Sequence, residues 1–201
     1  MINVAVVEDN ETIREGLRIL INETEGYNCK QVYSNYELLF SNVDKVPVNV
    51  LLIDIGTSGS RVINAIKKIK AALPELTILI LTLYEENDLI FDGLCAGASG
   101  YIVKRTPPEK LLQLIRDAYY GGVPMSSDIA RKMISFFQNK KQVENVNGYA
   151  MLTECENDIL NKLVEGYSFK VISDSLNMNV EDIRCSLKNI YKKLHLNAEI
   201  K

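Results

Sequence analysis

Along the first 120 positions, short runs rich in apolar residues, the second of them less regular, alternate with longer stretches where apolar residues recur every three or four positions. The runs Ile2 to Val7, Asn28 to Tyr33, Val48 to Asp54, Leu76 to Leu81 and Gly100 to Val103 read as strands, most of them buried on both faces as in a parallel sheet. The intervening stretches read as helices. Glu11-Thr12 opens one that carries Ile13, Leu17, Leu20 and Ile21 on a single face and closes near Gly26. Tyr36 to Phe40 is short and amphipathic. Val62 to Leu73 turns Ile63, Ile66 and Ile69 inward and Lys67, Lys68 and Lys70 outward, stopping at Pro74. Glu85 to Ala96 follows, and Pro107-Pro108 launches a fifth helix with Leu111, Leu112, Ile115 and Tyr119 inward. Alternation of this kind predicts an α/β fold with a five-stranded, doubly wound parallel sheet.

Gly121-Gly122-Val123-Pro124 breaks the pattern, and Ser127 to Phe137 reads as one more helix. The polar stretch Gln138 to Gly148 reads as an interdomain linker. The last fifty residues hold no strand pattern; they predict helices over Glu154 to Val164, Phe169 to Leu176 and Val180 to Leu194, separated by Gly166 and by Asn177-Met178-Asn179. A short helix, a tight turn and a longer helix make a helix-turn-helix. The expected organisation is therefore an α/β domain over 1–121, a helix and linker over 122–149, and a small all-α helix-turn-helix domain over 150–201.

Composition narrows the function classes. With 47% hydrophobic and 24% charged residues among 201, the chain has ordinary globular composition. Its apolar runs are too short to span a bilayer, and no basic region precedes an apolar stretch at the N-terminus, so a cytoplasmic protein without a membrane partner is expected. Cys29, Cys95, Cys155 and Cys185 form no C-x-x-C pair and His195 is the sole histidine, which gives no support to a zinc site or a disulfide framework and leaves buried or idle thiols. A net charge of -3 argues against a uniformly basic nucleic-acid binder but leaves room for a local basic face.

The chemistry lies at the strand ends. Asp54 closes one strand, and by itself it reads as a solvated acid; Glu8 and Asp9 close another and change that reading. Three close carboxylates repel unless a hard cation sits among them, and an all-oxygen site suits Mg²⁺. Two further strand ends deliver Thr82, a hydroxyl donor, and Lys104, a point positive charge able to pair with an acid or a phosphoryl oxygen. Gly93, Gly97 and Gly100 imitate a nucleotide fingerprint, but they do not sit between a strand and a helix start. An aspartyl phosphatase of the haloacid type needs a second acid two residues after its nucleophile, where this chain has Gly56.

The order and intervals of Glu8-Asp9, Asp54, Thr82 and Lys104, with Gly97-Ala98-Ser99-Gly100-Tyr101-Ile102-Val103-Lys104, resemble the receiver domain of two-component response regulators. The resemblance implies a flavodoxin-like receiver fold in which Asp54 accepts a phosphoryl group from a sensor histidine kinase. It also implies that Glu8, Asp9, Asp54 and the backbone carbonyl of Gly56 hold Mg²⁺, that Thr82 and Lys104 bind phosphoryl oxygens, and that Tyr101 reorients with Thr82. The loop Gly56-Thr57-Ser58-Gly59-Ser60 replaces the family's Met-Pro-Gly, and Val62 stands at a usual glycine.

In the last domain, Leu152-Thr153, Glu156, Ile159-Leu160, Val164, Gly166, Ser168, Ile172, Leu176, Ile183, Arg184, Asn189-Ile190-Tyr191 and Lys193-Leu194 resemble the LuxR-type helix-turn-helix. Together the two halves resemble NarL-type transcriptional response regulators, implying double-stranded promoter DNA as a partner, a homodimer on phosphorylation, and a regulator rather than an enzyme. Lys170, Arg184, Lys188 and Lys192 are the candidate DNA contacts, with Ile183, Leu187, Ile190 and Leu194 as the buried stripe. Departures are Asp182 and Ser186 at the family's usual Thr and His, and a stretch after Leu194 too short for the family's last helix. From residue 150 onward seven basic side chains face eight acidic ones, a net of -1. Pattern alone also fits a small helical bundle with a charged solvent face, and a helix-turn-helix that binds a protein partner instead of DNA.

Overall fold

The computed structural model describes residues 1–40, 47–56, 59–83, 87–121, 124, 152–165, 167, 169–183, 185–186 and 189–190. The chain divides into two compact units, Met1–Ser126 and Ser127–Lys201. In the first, β1 (Ile2–Val7), β2 (Tyr27–Tyr33), β3 (Val50–Asp54), β4 (Thr77–Thr82) and β5 (Gly100–Val103) form one sheet in the order β2-β1-β3-β4-β5, every pair parallel. Helices α1 (Glu11–Asn22), α2 (Tyr36–Phe40), α3 (Gly59–Ala72) and α4 (Asn87–Cys95) lie in the four crossovers, and α5 (Pro108–Tyr119) follows β5. This is the doubly wound α/β fold that the hydrophobic pattern predicts.

Alternate strand residues serve opposite faces. Val4, Val6, Leu52, Leu79, Leu81 and Ile102 pack with Leu17 and Ile21 of α1 and Leu111, Leu114, Ile115 and Ala118 of α5. Ala5, Val7, Ile53, Ile80 and Tyr101 are buried as well, and a side-chain carbon added at Gly93 of α4 would run into Ile80 and stand 3.7 Å from the Tyr101 ring. Both faces are covered, which is why the inner strands β3, β4 and the end of β1 are nearly continuous apolar runs, whereas the edge strand β2 carries Asn28, Lys30 and Gln31. Tyr119, expected inward, is 39% exposed, and Leu114 and Ala118 take its place on the buried face of α5. Pattern put the start of β3 two residues early and that of α3 three residues late, because the first turn of α3, Gly59-Ser60-Arg61, carries no apolar residue.

Register in β1 and β2 shifts between Asn3 and Ala5, and the irregularity lies against Cys29. Asn22, the last residue of α1, donates to the Cys29 carbonyl at 3.0 Å and accepts the Cys29 N–H at 2.8 Å, so its amide satisfies both backbone groups there. Burial pushes the Cys29 thiol from 9.0 up to about 11, against a smaller pull from Arg18. A thiol raised in the folded state lends stability below its unfolded pKa and loses it as pH climbs through the folded value. Cys155 and Cys185 are exposed instead, so idleness by burial holds for Cys29 and not for them. At pH 8 a thiol reagent is therefore expected to label the exposed Cys155 and Cys185 before Cys29, whose burial both hides the sulfur and holds it protonated; peptide mapping of a short labelling pulse checks this.

In the second unit, α6 (Glu154–Val164) begins with a capping box: Glu156 N–H donates to Thr153 Oγ1 at 3.2 Å, and Thr153 N–H donates to Glu156 Oε2 at 2.7 Å. Helix α7 (Phe169–Leu176) ends at Asn177, whose φ of 51° is left-handed, and Met178 N–H returns to the Ser173 carbonyl at 3.0 Å. Asn179 then caps the next helix, its side-chain oxygen accepting the Asp182 N–H at 2.8 Å. Residues 180–183, 185–186 and 189–190 are helical. Ile159, Leu160, Ile172, Ile183 and Ile190 form the buried set. The helix expected over 127–137, the linker over 138–148, and Leu187 and Leu194 of the predicted stripe lie outside the described residues. Among those described, no helix is long and apolar enough to cross a membrane.

Candidate functional site

Register brings the polar strand ends to one level. Val7 lies opposite Ile53, Asp54 opposite Leu81, and Thr82 opposite Val103, so Glu8, Asp54, Thr82 and Lys104 follow one another across four neighbouring parallel strands. Two backbone bonds extend the ladder by one step at its edges: Glu8 N–H to the Tyr33 carbonyl at 3.0 Å, and Lys104 N–H to the Thr82 carbonyl at 2.7 Å. Between β1 and β3 the direction of winding reverses, and in open α/β sheets that point opens a crevice at the carboxyl ends of the strands.

Glu8, Asp9 and Asp54 each place one carboxylate oxygen within 4.8 Å of the others. Lys104 Nζ lies 2.6 Å from Glu8 Oε2 and 3.1 Å from Asp54 Oδ2, with the Glu8 side chain 1% and that of Asp54 8% exposed. Burial pushes the Glu8 carboxyl above the usual carboxylate range, a hydrogen bond with Lys104 pulling back and the Asp54 charge adding to the rise. Burial also pulls on the Lys104 ammonium, but its hydrogen bonds and attraction to the two acids outweigh this and hold its pKa above the lysine norm. Lys104 is therefore a fixed positive charge at any physiological pH. Three carboxylates and one ammonium leave a formal excess of two negative charges, which a divalent cation offsets. An all-oxygen, mostly anionic donor set is what a hard cation takes, so the residues fit such an ion.

Gly56, just past β3, has a φ of +49°, a left-handed conformation that side chains disfavour, and an added Cβ would stand 3.5 Å from Asp54 Oδ2. Thr82 and Tyr101 are wholly buried on β4 and β5. Gly100 has a steric reason: a Cβ there would collide with the Pro124 carbonyl oxygen, which also accepts the Tyr101 N–H at 3.2 Å.

Sequence reasoning missed the support of the acid pair. Arg14, on the polar side of α1, donates from Nη1 to the carbonyls of Glu8 at 2.8 Å and Asp9 at 3.2 Å, and Asn10 N–H donates to Glu8 Oε1 at 3.2 Å. The one available signal was the interval: an arginine five residues after Asp9 in a helix that starts two residues after it. In the second unit, Lys170 lies in α7, but its side chain lies outside the described residues, as do Arg184, Lys188 and Lys192. Glu181 and Asp182 are exposed.

Residues 4–116 match the model of the response regulator receiver domain, and residues 150–200 match that of the luxR family of bacterial regulatory proteins. The transcriptional regulatory protein YdfI of Bacillus subtilis is 30% identical over 200 residues, covering 98% of this chain and 92% of its own length. Response regulator UvrY of Escherichia coli is 28% identical over 200 residues, covering 100% of this chain and 91% of its own. The fold of RcsB from Salmonella enterica serovar Typhimurium superimposes with a TM-score of 0.62 at 22% identity, covering 96% of this chain and 91% of that one. The chain therefore belongs to the response regulators of two-component systems, joining a receiver domain to a luxR-type helix-turn-helix of the transcription-regulating kind.

Proposed function

We propose that Asp54 is the phosphoacceptor of this regulator, and that a sensor histidine kinase supplies the phosphoryl group. The observation that carries the reading is the position of Lys104 Nζ, 2.6 Å from Glu8 and 3.1 Å from Asp54 at the mouth of the crevice. In the transfer, an Asp54 carboxylate oxygen bonds to phosphorus as the bond to the kinase's histidine nitrogen breaks, leaving an acyl phosphate and a neutral imidazole. Lys104 pairs with a phosphoryl oxygen, and the Thr82 hydroxyl donates to another. Glu8, Asp9 and Asp54, with the Gly56 carbonyl, would hold Mg²⁺, which when bound supplies charge neutralisation for the incoming phosphoryl oxygens. Tyr101 reorients with Thr82.

The output is DNA binding by the helix-turn-helix, through Lys170, Arg184, Lys188 and Lys192, in a cytoplasmic protein that acts as a regulator and not as an enzyme. Support comes from the names of its relatives and from RcsB, whose structures include one bound to promoter DNA with a beryllofluoride phosphomimetic. We assign 1–121 to the receiver, 122–149 to a connecting helix and linker, and 150–201 to the DNA-binding domain. Phosphorylation pairs two receivers into a homodimer, which fixes the spacing of two recognition helices on the duplex and multiplies two weak affinities. Light scattering at micromolar protein is expected to give a monomer mass without beryllofluoride and a dimer mass with it; an unchanged mass counts against dimerisation. Gel shift of the phosphorylated protein on the DNA upstream of its own gene tests the output. A protein-binding output is the second reading, favoured by the exposed Glu181 and Asp182 at the start of the recognition helix and by the domain's net charge of -1.

A further inference from the structure

Three residues, Glu8, Asp9 and Asn10, join β1 to α1, and their backbone groups are engaged almost one by one. Glu8 N–H donates to the Tyr33 carbonyl, Asn10 N–H to Glu8 Oε1, and the Asn10 carbonyl accepts the Arg14 N–H at 2.9 Å. The Asn10 side chain accepts the Ile13 N–H at 3.1 Å and so caps α1. The two remaining carbonyls, those of Glu8 and Asp9, both receive one nitrogen, Arg14 Nη1, at 2.8 and 3.2 Å. Side chains of a helix lean toward its N-terminus, which is the direction this arginine must reach.

A cation in the first turn of a helix opposes the helix dipole, at about 0.3–1 kcal/mol for an exposed group. Arg14 stands in the first turn of α1, so its place there is not one that helix stability selects. What it obtains is a charge-assisted clamp on two successive carbonyls, from a guanidinium that is always charged and rigid. Its bonds go to carbonyls and not to carboxylates, so the arginine itself does not compete with a cation for the carboxylate oxygens. Rotation of the Glu8-Asp9 peptide would swing both acids together. Mg²⁺ demands near-octahedral geometry at about 2.1 Å, so such a rotation weakens binding steeply.

We propose that Arg14 is a positioning residue for the metal site: its guanidinium locks the Glu8-Asp9 peptide and thereby aims both carboxylates at the cation. The proposal rests on the phosphotransfer reading and deepens it. Calorimetric titration of Mg²⁺ into full-length wild type, Arg14→Ala and Arg14→Lys is the test. Partners one step removed from a metal change its affinity by about 10- to 100-fold, so Arg14→Ala is expected to bind Mg²⁺ at least about tenfold more weakly. Arg14→Lys keeps the charge but not the rigid fork and recovers part of the loss. With acetyl phosphate as donor, the Mg²⁺ concentration for half-maximal phosphorylation rises by the same factor, while the rate at saturating Mg²⁺ stays near that of wild type. Wild-type affinity in Arg14→Ala overturns the proposal, as does full recovery in Arg14→Lys, or a lower saturating rate at unchanged half-saturation. Should Arg14→Ala fail to fold, Arg14→Lys decides. A wild type that binds no Mg²⁺ removes the metal reading itself, a different result from equal binding by wild type and variant.

Discussion

Incubated with acetyl phosphate and Mg²⁺, the wild-type chain is expected to gain one phosphoryl group and Asp54→Asn none, the difference being read from intact masses. The reason lies in the contrast between Asp54 and its neighbours. Glu8 is buried, its carboxyl is raised above the usual range, and one of its oxygens is held by Asn10 N–H and the other by Lys104. Asp54 ends β3 in the middle of the four polar strand ends, with Lys104 on one side and Gly56 offering no side chain on the other. An amide in its place keeps the size but loses the negative charge and the nucleophilic oxygen, so the loss is expected to be complete rather than graded. Replacing Asp9 by Asn removes a carboxylate from the metal set while leaving the acceptor, and is expected to shift the Mg²⁺ requirement upward. An equal adduct on wild type and Asp54→Asn, or none on either, would sink the assignment of the acceptor.

Much of this arrangement could be read in the chain because both signals are local. A strand buried on two faces must be apolar throughout, so the residue that ends it is conspicuous, and Glu8, Asp54, Thr82 and Lys104 all stand at such breaks. The depth of Glu8 was not legible. The sequence marks Glu8 as an acid at a strand end but not as a buried one; the added backbone bond to Tyr33 on the neighbouring strand draws it into the sheet. Arg14 was hidden for a similar reason: on an amphipathic helix an arginine away from the apolar stripe reads as solvent-facing, and its partners precede the helix. Tyr119 misled by size. Spacing from Ile115 put it on the inner face, but the core beneath α5 closes over Ala118, and a small residue gives a weak pattern signal.

The second large effect is expected at Asp182. Asn179 caps the recognition helix, and the 2.8 Å bond from Asp182 N–H to its side chain puts Glu181 and Asp182 in the first turn. Acids there suit the positive end of the helix dipole. They also face the phosphates that a recognition helix must approach, and phosphate neutralisation supplies most non-specific DNA affinity. Asp182→Thr is therefore expected to lose up to about 1 kcal/mol of helix stability while binding DNA more tightly. Its backbone N–H remains for Asn179, so the cap survives the change and the two effects can be separated by thermal unfolding and by fluorescence anisotropy on a short duplex. Lys188→Ala, acting on a phosphate contact, is expected to lower affinity on all sequences alike and to reduce the slope of log affinity against log salt by about 1. If wild type binds no duplex at low salt and Asp182→Thr does not restore binding, the basic residues of this helix are not a DNA surface. The exposed acids would then be the part of the helix that a protein partner reads.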